Sequence, residues 1–327
     1  MTAAIFGPEG PEINDWEQGF FREAQPLGFI LFARNIDTPD QLRRLTYGLR
    51  EAVQRDAPIL IDQEGGRVQR MRSPHWREYL PALDQMDRAQ DPIRAQWVRN
   101  RLIAAELHDV GIDANCAPLA DIAQSATHPV LQNRLYGRDV ETVIAAARAC
   151  ADAHLAGGVL PVLKHIPGHG RATMDSHLQL PQVNASRAEL EARDFAPFKA
   201  LNDLPMGMSA HIVFSDIDPD APATISPDMM KVIRHDIGFD GLLMTDDLSM
   251  QALSGTMADR SKAAIRAGCD VILHCNGQRA EMQAVATAAG AMSPQATARA
   301  NRALAMRKTP AKIDIAALEA ELAHHLG

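Results

Sequence analysis

The amino-acid sequence predicts an α/β fold and, within that class, a (β/α)8 barrel of the TIM type. Eight short apolar runs recur along its 327 residues, near-continuous rather than alternating. That is the pattern required of parallel strands covered on both faces. Most runs are followed by a segment of helical periodicity, and such strand–helix alternation closes most simply as a barrel. A doubly wound open sheet is the competing arrangement, but no Gly-x-Gly-x-x-Gly follows any run, so a dinucleotide-binding sheet lacks its main support.

The predicted strands are, in order, residues 3–7, 28–34, 58–66, 111–122, 158–166, 206–214, 241–247 and 270–275. The helices between them carry start and stop signals. Residues 38–55 open on a Thr38/Asp40 cap signal and then repeat leucines at helical spacing. The Ala-rich stretch 138–158 ends in Gly157–Gly158, a stop signal. Residues 186–202 begin with Ser186 and Glu189, spaced as a capping box. Residues 258–270 stop at Gly268, and the tail from Gln295 reads as one or two helices with Pro310 between them. There is no low-complexity linker, so one domain over 1–327 is the simplest organisation.

A net charge of −8 argues against nucleic acid as a partner, because phosphate binding needs a basic surface. The start, MTAAIFGPEG, lacks the basic and apolar regions of a secretory signal. No apolar stretch approaches the roughly 20 residues that span a bilayer. The four cysteines form no Cys-x-x-Cys pair and have no histidine at zinc-like spacing, so reduced, buried thiols are expected. The chain reads as a cytoplasmic monomer, with no long apolar stripe left for a partner.

Barrel enzymes gather their chemistry at the C-terminal ends of the strands. Polar residues cluster there: Asp62, Glu64, Arg67 and Arg70 after the third run, Asp121 after the fourth, Lys164 and His165 after the fifth. His211 lies on the sixth, Asp246 and Asp247 end the seventh, and His274 and Asn276 sit on the eighth. Each has a structural alternative. Asp62, Asp246 and Asp247 also read as helix caps, Glu64 and Arg67 as a surface pair, and His211 and His274 as packed, hydrogen-bonded histidines. Met244, Met250 and Met257 read as core filling, and His324 and His325 as solvated.

KHIPGHGRATMDSH, residues 164–177, is specific as an ordered whole. A strand-end Lys-His is followed by Pro167, Gly168 and Gly170, which mark an irregular loop, and then by Asp175-x-His177. A carboxylate two residues from an imidazole can fix its tautomer and stabilise its protonated form, as an acid–base group needs.

Together with LIDQEGGRVQR (60–70), LLMTDDLSM (242–250) and LQNRLYGRD (131–139), this segment resembles the family-3 glycoside hydrolases, and among them the single-domain bacterial β-N-acetylglucosaminidases that recycle cell-wall muropeptides. Order and spacing also match, so the resemblance covers most of the chain. It implies a retaining exo-acting enzyme that removes GlcNAc from 1,6-anhydroMurNAc peptides without metal or cofactor. Asp246 takes the place of the nucleophile, His177 of the acid–base, and Asp175 of the residue orienting it, with Asp247 a supporting neighbour. Asp62, Arg70, Arg134, Lys164 and His165 match positions that hold the sugar. A related phosphorylase, with phosphate in place of water, is the alternative. A multidomain β-glucosidase needs a longer chain, and a catalytically dead sugar binder needs no nucleophile. A metal-dependent barrel hydrolase usually carries a His-x-His pair after its first strand, where this chain has GPEG.

Overall fold

The structure is a computed structural model that describes residues 1–172, 180–250 and 252–327. At its centre is a closed barrel of parallel strands taken in chain order: Thr2–Phe6, Pro26–Leu31, Ile59–Ile61, Ala114–Asn115, Leu160–Ile166, Met206–Ser209, Leu242–Asp247 and Val271–His274. The last strand closes on the first, with Ala4 opposite Ile272 and Phe6 opposite His274. The predicted (β/α)8 barrel is thus observed. Its strands are buried almost end to end, as with Ile5, Phe29, Leu60 and Leu243, which explains their unbroken apolar runs.

Three runs form strands less than half as long as the sequence predicts. The third stops at Ile61 because Gly65 and Gly66 take φ of +93° and +60°, turning the chain back so that the Val68 carbonyl accepts from the Glu64 and Gly65 N–H groups. The fourth is regular only over Ala114–Asn115. Pro118 has no N–H for the ladder, and pairing continues irregularly, with Ala120 N–H donating to the Lys164 carbonyl. The sixth leaves the barrel after Ser209, and Val213–Phe214 pairs instead with Gln182–Val183 in a separate small parallel sheet.

Helix caps follow the signals. Thr38 caps Pro39–Val53, Asp139 caps Val140–Ala156, and Thr256 with Asp259 forms a capping box on Met257–Ala267. The Ser186/Glu189 capping box forms too, but the helix it opens is broken. Pro197 cannot donate, and its ring would strike the Arg193 carbonyl, so Leu190–Asp194 widens into a π-turn before Ala196–Ala200. Helices Pro294–Leu304 and Ile315–Leu326 flank Pro310, and the latter is tied to Pro92–Asp109 by the Arg94–Glu321 pair. His324 is exposed as expected, whereas His325 is half-buried. Among the described residues, no helix is long and apolar enough to cross a membrane.

Candidate active site

The C-terminal ends of the strands open into a cavity of about 240 Å³. That lies just below the roughly 300–1,000 Å³ of pockets for drug-sized ligands, so it suits a small ligand. Asp62, Arg70, Arg134, Lys164, His165 and Asp246 all line it, although they come from four separate stretches of sequence. Asp175 and His177 lie outside the described residues.

An ionic network forms one wall. Lys164 Nζ donates to Asp62 Oδ1 at 2.9 Å and lies 2.7 Å from Glu64 Oε1. Arg70 donates to Asp62 Oδ2 at 3.2 Å. Arg134 grips Glu64 through two hydrogen bonds of 2.9 and 2.8 Å, the fork geometry that makes such pairs strong. Burial alone would raise the carboxyls, but Lys164 and Arg70 outweigh it at Asp62, and Arg134 and Lys164 at Glu64, holding both below the usual range. Burial would likewise lower Lys164, yet Asp62 and Glu64 hold it above its ordinary value. The wall is therefore fully charged at neutral pH. Arg70 Nε has no hydrogen-bond partner among the described residues, which leaves a donor to spare.

Asp246 is the penultimate residue of the seventh strand. Its Oδ1 accepts the Asp247 N–H at 2.8 Å, while Oδ2 accepts no hydrogen bond among the described residues. Burial pushes this carboxyl up, but the His211 and His165 rings, the Asp247 N–H and Lys164 outweigh it, so it lies below the ordinary range. An ionised carboxylate with one oxygen anchored and the other unbonded has the form needed to attack a carbon. Asp247 has no such freedom: it takes Ser249 N–H and Cys275 N–H on Oδ1 and the Ser249 hydroxyl on Oδ2.

The histidines divide. His165 lines the cavity and bonds Asp121 through Nδ1 at 2.8 Å. His211 is packed and hydrogen-bonded, to Thr224 through Nδ1 at 2.7 Å and to the Asp247 carbonyl through Nε2 at 3.1 Å. It thus secures the backbone beside Asp246. His274 is also buried, 3.0 Å from Glu281.

Sequence reasoning missed three features. Glu64 is not a surface partner of Arg67: it is buried, and its partners are Arg134 and Lys164, far away in sequence. Arg67 is exposed at the cavity rim. Met250, expected as core, lines the cavity. The cysteines are free and buried as expected, but Cys275 is also part of the cavity lining. Strand-end position signalled Glu64; its partners lay beyond local spacing.

Known proteins resemble the chain throughout. The family model for the glycosyl hydrolase family 3 N terminal domain matches residues 12–305. A beta-hexosaminidase of Methylococcus capsulatus is 39% identical over 83% of this chain and 82% of its own length. One of Tolumonas auensis is 35% identical over 91% and 89%. The crystal structure of NagZ from Neisseria gonorrhoeae in complex with N-trifluoroacetyl-D-glucosamine superimposes with a TM-score of 0.88 at 28% identity, over 100% of this chain and 98% of that one. With its barrel, its strand-end cavity and these relatives, the chain belongs to glycosyl hydrolase family 3 and is a glycoside hydrolase of the β-hexosaminidase type.

Proposed function

We propose that the chain is a retaining exo-β-N-acetylglucosaminidase that removes the non-reducing GlcNAc of 1,6-anhydroMurNAc-peptides, acting in the cytoplasm as a one-domain monomer over residues 1–327. The observation that carries this reading is Asp246, half-buried at the end of the seventh strand and lining the cavity, with Oδ1 anchored by the Asp247 N–H and Oδ2 accepting no hydrogen bond among the described residues. In this reading Oδ2 attacks the anomeric carbon. The bond to the glycosidic oxygen breaks, its electron pair stays on that oxygen, and His177 supplies the proton. Water, giving its proton back to His177, then cleaves the ester, and the second inversion restores the β configuration. Asp175 orients His177. Asp62, Arg70, Arg134, Lys164 and His165 hold hydroxyls and the N-acetyl group, with acceptors and donors both available along the charged wall.

A histidine in the acid–base role avoids placing a second carboxylate near Asp246 and titrates near neutral pH without a large shift. Such assistance typically contributes about 10²–10⁴ in rate. The test is hydrolysis of p-nitrophenyl β-N-acetylglucosaminide beside the β-glucoside, with and without phosphate. Free GlcNAc in both buffers, faster than glucose, supports the reading. GlcNAc-1-phosphate would replace it with the phosphorylase, and no release from either sugar would overturn it.

A further inference from the structure

Asp121 touches neither the cavity nor solvent; its side chain is completely buried behind His165. Oδ2 accepts from His165 Nδ1 at 2.8 Å, Oδ1 accepts from the His169 N–H at 2.6 Å, and the His165 N–H lies 3.3–3.4 Å from the two oxygens. Burial pushes this carboxyl up, but His165 and His169 outweigh it and hold it below the ordinary range. An ionised carboxylate only accepts, so the ring nitrogen facing it carries the hydrogen. Nε2 is the other nitrogen of a ring that lines the cavity.

The backbone here has further ties besides this carboxylate. The Thr127 hydroxyl donates to the Gly170 carbonyl at 2.6 Å, and the His128 N–H donates to the Ala172 carbonyl at 3.0 Å. Gly170 packs so tightly on the Ile122 carbonyl that a Cβ there would collide with it. The strand-four and strand-five loops are therefore fastened independently. Asp121 adds acceptors for the His165 and His169 N–H groups and, beyond them, supplies the hold on the imidazole.

We propose that Asp121 is a positioning residue, acting on the bound sugar through His165: it fixes the proton on Nδ1 and presents Nε2 to the cavity as the acceptor for a sugar hydroxyl. The proposal rests on the reading of the cavity as a sugar site. Beside Lys164, Arg70 and Arg134, which only donate, a His165 ring with its hydrogen on Nδ1 and Nε2 bare adds an acceptor. A ring free to exchange tautomers would present a donor part of the time.

The experiment is a double-mutant cycle of Asp121→Asn, His165→Ala and the pair, assayed with p-nitrophenyl β-N-acetylglucosaminide. Asp121→Asn keeps the shape and loses the charge and one of the two acceptor oxygens; with the remaining oxygen on the His169 N–H, an NH2 donor faces the ring. We expect kcat/KM to fall about 10- to 100-fold, the scale seen when a partner orienting a functional histidine is removed. On the His165→Ala background the same change should alter kcat/KM less than about threefold, because the path it acts through is gone. Equal losses on both backgrounds would show a merely structural role and overturn the proposal, as would an Asp121→Asn enzyme within about twofold of the parent. If a variant fails to fold or is too slow to assay, the imidazole ¹⁵N spectrum of the unmodified protein decides, with the His165 signals assigned by their loss in His165→Ala or, failing that, by sequential assignment. A proton on Nδ1 with a bare Nε2 is expected; a ring with a protonated Nε2 would overturn the proposal. If the parent enzyme hydrolyses no sugar, the glycosidase reading fails, while the spectrum still reports on the Asp121–His165 bond.

Discussion

The Arg134 guanidinium grips the Glu64 carboxylate with two hydrogen bonds of 2.8 and 2.9 Å, both side chains nearly excluded from water. Removing one partner of a buried pair strands the other charge, at a cost of about 3–5 kcal/mol. Glu64→Ala is therefore expected to lower unfolding free energy by that amount in urea titrations and to raise KM, since Arg134 loses its anchor and Lys164 keeps only Asp62. Arg134→Lys should not restore the parent KM, because an ammonium cannot make the bidentate contact.

Asp246 and Asp247 are neighbours with different partners, and their variants should separate. Asp246→Ala is expected to lower kcat by about 10⁴-fold or more, on the scale of losing a nucleophile, with little change in melting temperature. Asp247→Ala removes the acceptor for Ser249 and Cys275. It should cost about 1–3 kcal/mol of stability and retain far more activity. Calorimetry alongside initial rates checks both.

His177→Ala should separate substrates by leaving group. An activated aryl glycoside departs without a proton, whereas a sugar leaving group needs one. The ratio of kcat/KM for dinitrophenyl β-N-acetylglucosaminide to that for chitobiose is expected to rise at least about tenfold in the variant. An unchanged ratio would count against His177 as the acid.

Acid stability should reflect His154, buried in helix Val140–Ala156. Its Nδ1 donates to the Cys150 carbonyl at 2.8 Å, and its Nε2 faces the Asn115 amide nitrogen at 2.9 Å. A ring accepting an N–H there must be neutral, and burial pushes its pKa down to about 4. Between about pH 6.5, the ordinary histidine value, and about 4 the unfolded chain holds a proton that the folded one refuses. Stability from this group is thus complete above the unfolded value and is lost as pH falls. The full loss is about 3 kcal/mol, at 1.36 kcal/mol per unit. Urea titrations at pH 7.0 and 5.0 should show the fall, and His154→Gln should reduce the slope by about one proton.

Gly65 is needed by geometry. It sits at φ +93°, and a Cβ would collide with the Arg99 guanidinium, which donates to the Glu64 carbonyl. Gly65→Ala is expected to cost at least about 1–3 kcal/mol in strain and to raise KM by displacing Glu64. Unchanged KM and melting temperature would contradict this.

The barrel was legible because buried parallel strands must be apolar throughout, and Ile59–Ile61 and Leu160–Ile166 show it in the sequence. Their ends were less legible. Pro118 and the Gly65–Gly66 turn cut pairing short within runs that stay largely apolar. Strand-end position singled out Asp62, Lys164, His165 and Asp246, and all four line the cavity. Glu64 was misread as a partner of Arg67 because spacing reveals neighbours, whereas its partners arrive from other strands and loops. Asp121 was visible only as a strand-end acid, since its partner, the ring of His165, is brought beside it by barrel closure.

The most direct test of the account is the site of covalent labelling. An activated, fluorinated N-acetylglucosaminide slows hydrolysis of the ester so that it accumulates, and mass spectrometry of the digested protein locates it. One sugar is expected on Asp246, within the peptide covering residues 242–250. A label on Asp247 or elsewhere, or turnover with inversion and no ester, would contradict it.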